Sequence, residues 1–212
     1  MKITIPTSLS EITVEQYQKY NRIVNLTVTE EAKTIGAIAV FCNLTTDEVL
    51  SLPIEEVKEI STTIFETLAL EPQFIQCFGK YGVEPNIDDI TTAVYLDAEK
   101  YILDVDNAHR ALAVMYREVD KNMLGSYTIK PYEGSDKLCD EMLQAPLEVY
   151  LGLRLFFWTL SKDLLKATME YLLNPSKEVE QLEATLAKNG GGIQVLIQSL
   201  EDLELVLSKP LF

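Results

Sequence analysis

The run from Asp140 to Leu173, DEMLQAPLEVYLGLRLFFWTLSKDLLKATMEYLL, constrains the fold more than any other stretch. Pro146 suits the first turn of a helix, where its missing N–H costs nothing. Glu148 then falls in that turn, against the positive helix end. From Leu147 to Leu160 the apolar residues are interrupted by Glu148, Gly152, Arg154 and Thr159. A helix that is apolar nearly all round is either buried or in a membrane. A membrane span needs about 20 consecutive apolar residues. This run is shorter, contains Arg154, and ends at Lys162 and Asp163. The expectation is a central buried helix, with Leu153, Phe157 and Leu160 enclosed.

The 212 residues suffice for a real core, as one domain or two small halves. The net charge of −15 repels phosphate backbones, so sequence-general nucleic-acid binding is disfavoured. Acidic mimicry of DNA is the alternative. The acids fall between periodic apolar positions, however, as on solvated helix faces. The three cysteines, Cys42, Cys77 and Cys139, show no C-x-x-C spacing, so neither a disulfide framework nor a zinc site is expected. MKITIPTSLSEI lacks the apolar core of a signal peptide. A reducing cytoplasm is the expected setting, with no membrane partner.

Taken in order, Ile3 and Ile5 alternate with polar residues and predict a short N-terminal strand closed by Pro6. Thr13 and Gln16 have capping-box spacing ahead of a helix reaching about Val24. Thr29 caps a second helix with Ile35, Ile38, Ala39 and Cys42 on one face. A short helix over Thr46–Leu52 reaches Pro53. A longer one then carries Ile54, Val57, Ile60, Ile64 and Leu68. Phe74, Gln76 and Phe78 alternate like a strand, to pair with the N-terminal strand or with a later hairpin.

The same order then returns. ITVEQY (Ile12–Tyr17) reappears as ITTAVY (Ile90–Tyr95), and AIAVFC (Ala37–Cys42) as ALAVMY (Ala111–Tyr116). DEVLSLPIE (Asp47–Glu55) reappears as DEMLQAPLE (Asp140–Glu148). The matches keep their order, which suggests an old internal duplication with altered spacing. Common capping chemistry at similar helix entries is the alternative. The expected fold is mainly α: two related helical units with short β-strands or a hairpin and a C-terminal amphipathic helix. The units are residues 1–83, with the N-terminal strand, and 84–174, with an inserted arm at 117–138. A helical tail follows over 175–212. In the arm, Tyr127, Ile129 and Pro131 alternate with Thr128 and Lys130, as in a β-hairpin. In the tail, Asn189 and three glycines precede a stripe of Ile193, Leu196, Ile197, Leu200, Leu203 and Leu207.

Motifs for catalysis were sought and none converges. The single histidine, His109, has Asp106 one turn before it but no third group that would complete a site. Asp104-Val-Asp106-Asn107 starts like a calcium loop, but His109 stands where the glycine belongs and Met115 where the acid belongs. Gly190–Gly192 lacks the Lys-Ser/Thr of a phosphate loop. Phe156, Phe157 and Trp158 point about 100° apart on a helix, so core packing explains them better than one binding face. No catalytic, cofactor-binding or metal-ligating residue is identified, and no cofactor is expected.

IPTSLSEITVEQYQKY, IAVFCNLTTDEVLSLP and HRALAVMYREV…YTIKPYEG resemble a group of small acidic helical proteins encoded in the virion-assembly modules of tailed bacteriophages, some tail assembly chaperone-like. The resemblance spans most of residues 5–160 and carries no catalytic residues. It implies a non-enzymatic protein acting in tail or head–tail assembly, bound to another phage structural protein in the host cytoplasm. The alternative is a structural or packaged component of the virion, and self-association is compatible with either. The arm and the tail lack counterparts in the first unit, and additions to a duplicated scaffold are natural places for new contacts. The expected partner-binding residues are Tyr127, Ile129 and Tyr132 on the arm, and Leu200, Leu203, Leu207, Leu211 and Phe212 on the tail. A small hydrolase or metal enzyme is the reading from another class.

Overall fold

Threonine side chains start α-helices at Thr13, Thr29, Thr45 and Thr91. The computed structural model describes residues 2–84, 89–121 and 127–173. Thr13 caps α1 (Val14–Val24) in a reciprocal box: its hydroxyl accepts from the Gln16 N–H at 3.1 Å, and its own N–H donates to Gln16 Oε1 at 3.0 Å. Thr29 caps α2 (Glu30–Phe41), and Thr45 with Glu48 boxes α3 (Thr46–Leu50). Pro53 precedes α4 (Ile54–Leu68), which buries Ile60 and Ile64 while Ile54 stands exposed. Thr91 caps α5 (Thr92–Ile102), a 3-10 turn covers Val105–Asn107, and α6 (Ala108–Met115) follows. Next come α7 (Cys139–Met142) and α8 (Leu147–Leu173).

Between α4 and α5 the chain forms β1 (Cys77–Phe78) and β2 (Tyr81–Gly82), and between α6 and α7 it forms β3 (Arg117–Lys121) and β4 (Tyr127–Ile129). These make one antiparallel meander in the order β1-β2-β3-β4, with Tyr81 opposite Glu118 and Val119 opposite Ile129. Of the strand expected over Phe74–Phe78 only Cys77–Phe78 forms; it pairs with β2, and β2 in turn pairs with the arm hairpin. The strand expected at Ile3–Ile5 is not formed: residues 2–7 are irregular. Ile3 and Ile5 are half-buried in alternation, but no strand lies beside them. Their neighbours are held by side chains instead, Pro6 O accepting from the Thr67 hydroxyl at 3.1 Å and the Thr7 N–H donating to Glu11 at 2.7 Å.

The chain divides into two compact units, Met1–Arg154 and Leu155–Phe212. In the first, α2, α4, α6, α7 and the start of α8 supply the core: Ile38, Ile64, Leu112, Met142, Leu147, Tyr150 and Leu153 are all fully enclosed. In the second, α8 continues to Leu173, with Phe157 and Leu165 buried and the Lys162 ammonium over the Trp158 ring at 4.4 Å. The Leu160 side chain and the tail from residue 174 lie outside the described residues. Among the described residues no helix is long and apolar enough to cross a membrane. Cys42, Cys77 and Cys139 are free thiols.

One contact ties the N-terminal helix to the later half of the first unit. The Val14 and Glu15 N–H groups donate to Ala145 O and Leu143 O at 3.0 and 2.9 Å, and the Leu147 N–H donates to Ile12 O at 2.8 Å. The start of α1 is thereby stitched to the joint between α7 and α8. One turn on, the buried Gln18 amide nitrogen shares its two N–H groups among Val105 O, Asp106 O and His109 Nδ1, at 2.9, 3.0 and 2.9 Å. Arg22 completes the seam with Asp106 at 2.8 Å.

An amide N–H beside Nδ1 fits a neutral imidazole with its proton on Nε2. Burial, with the Arg110 charge beside it, lowers the His109 pKa below its usual value, and Asp140 opposes this. A histidine with a depressed folded pKa contributes stability that is present above about pH 6.5 and lost as pH falls through the folded value. Melting curves should therefore show a decline from about pH 7 to pH 5.5 that His109→Gln reduces, leaving the smaller slope that carboxylates cause at the acid end. Equal slopes in both proteins would remove His109 from this role.

Candidate functional site

The expected partner surface centres on the arm, so its construction decides what the arm can do. α6 ends at Met115, and Tyr116 leads directly into β3. Tyr127 and Ile129 alternate on β4 and are half-buried, with Thr128 exposed between them. The Tyr127 ring crosses the sheet over Gly82, where an added Cβ would meet its Cε2 at 3.1 Å and Val119 Cγ2 at 2.8 Å. Its hydroxyl donates to Val83 O at 2.9 Å. Burial pushes the Tyr127 phenol up to about 12, so it stays a neutral donor. Tyr132 donates to Asp97 Oδ2 at 2.6 Å. Both tyrosines therefore anchor the arm to its own scaffold, and among the described residues no strand pairs with the outer edge of β4.

The face beside that edge is charged and mutually paired. Glu118 lies between two ammonium groups, bonded to Lys130 and, at 3.0 Å, to Lys80. They hold its carboxyl down at about 2. Lys80 also reaches Glu141 at 3.4 Å, whose carboxylate accepts from the Tyr81 hydroxyl.

At the base of the arm a cavity of about 270 Å³ is lined by Arg117, Lys130, Pro131, Tyr132 and Leu138 among others. Arg117 donates from Nη1 to Lys130 O at 3.0 Å, while its buried Nε has no hydrogen-bond partner among the described residues. Burial lowers its pKa. An N–H donor left without an acceptor, beside the ammonium groups of Lys130 and Lys137 and the carboxylates of Glu118 and Glu133, suits a carbonyl or carboxylate oxygen from outside. The volume admits a side chain and lies just under the range of typical ligand pockets.

Of the residues expected from sequence to bind a partner, the structure brings Tyr127, Ile129 and Tyr132 to this arm. Leu200, Leu203, Leu207, Leu211 and Phe212 lie outside the described residues. Arg117 escaped notice, although a cation directly after the apolar run ALAVMY was a usable signal. The loop that resembled a calcium site spends its acids locally: Asp104 caps the 3-10 turn through the Asp106 N–H at 3.0 Å, and Asp106 pairs with Arg22. Among the described residues no group of three or more His, Cys, Asp or Glu is gathered for a metal ion. No protein-family profile, curated protein or solved structure matches this chain.

Proposed function

We propose that the chain is a non-enzymatic binding protein of tailed-bacteriophage virion assembly, built on an internally duplicated helical scaffold, that holds another phage structural protein in a chaperone-like way. The observation carrying a binding role is the outer edge of β4, unpaired among the described residues, beside the Arg117 cavity. A partner strand can add to such an edge through backbone hydrogen bonds, with one side chain or carboxylate taken by the cavity. The phage setting rests on the sequence resemblance of residues 5–160.

Several coincidences support the duplication. α1 and α5 are both 11 residues long and both start one residue after a threonine cap, Thr13 and Thr91. The matched segments Ala37–Cys42 and Ala111–Tyr116 each run out of a helix, with Cys42 and Tyr116 as the C-caps. Val49 and Met142 are buried on the short helices α3 and α7, and Pro53 and Pro146 precede the long ones.

A permanent virion component is the second reading, and the exposed apolar faces described below favour it. Mass spectrometry of purified particles and of assembly intermediates separates the two. An assembly factor is present in intermediates with its structural partner and absent from mature particles, whereas a component keeps a fixed copy number in both. Absence from both fractions, with normal particle yield after deletion of the coding sequence, would end both readings.

A further inference from the structure

We infer that the chain assembles head-to-tail with copies of itself, α5 of one copy docking on the α1–α2 connection and the α3–α4 joint of the next. This deepens the proposed assembly role and rests on the duplication within it.

The internal contact of α1 supplies the template. α1 lies on two features of the second half: the α7–α8 joint at Leu143–Leu147, and the α5–α6 connection at Val105–Asp106. In the register that pairs Thr13 with Thr91, Gln18 and Arg22 on the docking face of α1 correspond to Leu96 and Lys100 on α5. The α7–α8 joint corresponds to the α3–α4 joint, Leu50–Ile54, through the shared DE-L-P-E pattern. The α5–α6 connection corresponds to the α1–α2 connection. A chain with two halves makes this contact once, because α1 can cover the second half while α5 faces away from the first. Both surfaces of the unmade contact are then left bare.

Exposure agrees on both surfaces. On α5 and at its C-cap, Leu96 is 57% and Leu103 65% exposed. On the first half, Leu26 is 56%, Val28 43%, Leu50 63% and Ile54 66% exposed, whereas Leu147, the counterpart of Ile54 at the covered joint, is 0% exposed. Nine large apolar side chains stand exposed among the described residues, and these six are the majority, so the exposure is concentrated on the two predicted surfaces rather than scattered.

Charge follows the template. Arg22 pairs with Asp106 inside the chain at 2.8 Å. Its counterpart Lys100 is exposed, with its ammonium over the Tyr101 ring at 4.9 Å and no carboxylate paired to it among the described residues. Glu31, in the first turn of α2 where the surface to be met begins, is exposed, and its neighbour Glu30 is already paired with Lys33. In the register that pairs Ala37 with Ala111, Asp106 corresponds to Ala32, and Glu31 is the acid beside it, so Lys100 of one copy can meet Glu31 of the next much as Arg22 meets Asp106. Because the two surfaces differ, the contact is heterologous, and its repetition gives a ring or a helical filament.

Sedimentation of the purified full chain alone, over a roughly hundredfold concentration range, reads the assembly. The wild type should gain mass with concentration. Leu96→Glu and Ile54→Glu should each stay monomeric with unchanged circular-dichroism melts, since both sites are exposed. Mixing the two should give a 1:1 dimer and nothing larger, because the Leu96→Glu copy keeps an intact joint and the Ile54→Glu copy keeps an intact α5. Lys100→Glu should weaken assembly at least roughly tenfold, and adding Glu31→Lys should restore it. A wild type monomeric throughout, variants that still assemble, or a mixture that stays monomeric would each overturn the inference. No phage partner is present in this experiment, so its failure leaves the partner-binding role standing, and failure in the particle fractions leaves self-assembly standing.

Discussion

Replacing Gly152 by alanine should destabilise the protein by about 3 kcal/mol or more. Gly152 lies in α8, six residues after Pro146, where the extended segment after α4 crosses the helix. A Cβ there would sit 2.1 Å from Gln73 O, 2.8 Å from Gln73 C and 3.1 Å from Phe74 Cα. These are backbone atoms, so no rotamer change relieves the clash. The crossing segment is also held on its far side, the Val83 N–H donating to Gln76 O at 3.0 Å and Tyr116 donating to Ile75 O. Alanine gains about 1 kcal/mol of helix propensity over glycine, too little to offset separation of two packed backbones. Gly36→Ala is the matched control: its Cβ would meet only the ends of the Ile23 side chain, at 3.0 and 3.1 Å, and a slight turn of that residue makes room. Urea melts should place Gly152→Ala far below the wild type and Gly36→Ala near it. A Gly152→Ala protein within about 0.5 kcal/mol of wild type would mean the crossing is looser than its geometry.

Gly152 also illustrates what the sequence conveyed and what it hid. It stood out as an interruption in an apolar helix, but its cause lies at Gln73, which no local pattern connects to it. Helix starts were legible because threonine caps act within three residues: Thr13 and Thr29 each sit where the chain enters its helix. The N-terminal strand was misread because Ile3 and Ile5 alternate as they would in a ladder, and alternation does not reveal whether a neighbouring strand exists. Ile54 belongs to the apolar period of α4 yet is 66% exposed, since a stripe says which residues share a face and not how far the covering element extends. For the arm, the hairpin could be read from Tyr127, Ile129 and their turn residues. That Tyr127 and Tyr132 turn back onto Val83 O and Asp97 could not, because both partners come from distant parts of the chain.

Tyr116 should give the other large effect, in two separable steps. It caps the C-terminus of α6, is fully buried, and packs edge-on against Phe78 with ring centroids 5.0 Å apart. Burial raises its phenol pKa, so the group remains a neutral donor, and it donates to Ile75 O. Tyr116→Phe keeps the ring and removes that donor, leaving a part-buried carbonyl unsatisfied at a cost of about 1–3 kcal/mol. Tyr116→Ala also empties the ring's volume, for about 3–5 kcal/mol in total, comparable to other aromatic truncations in a core. The difference between the two variants reads the packing, and the first alone reads the hydrogen bond. If Tyr116→Phe costs nothing, water reaches Ile75 O and the segment is not sealed against the helices. The double variant with Gly152→Ala tests the link directly, since both positions act on the stretch Gln73–Ile75 from different elements. Once the Gly152→Ala clash has lifted that stretch away, the Tyr116 donor has less to hold. The combined loss should then fall short of the sum of the single losses by more than about 0.5 kcal/mol. Strict additivity would show that the crossing at α8 and the anchor at α6 are independent.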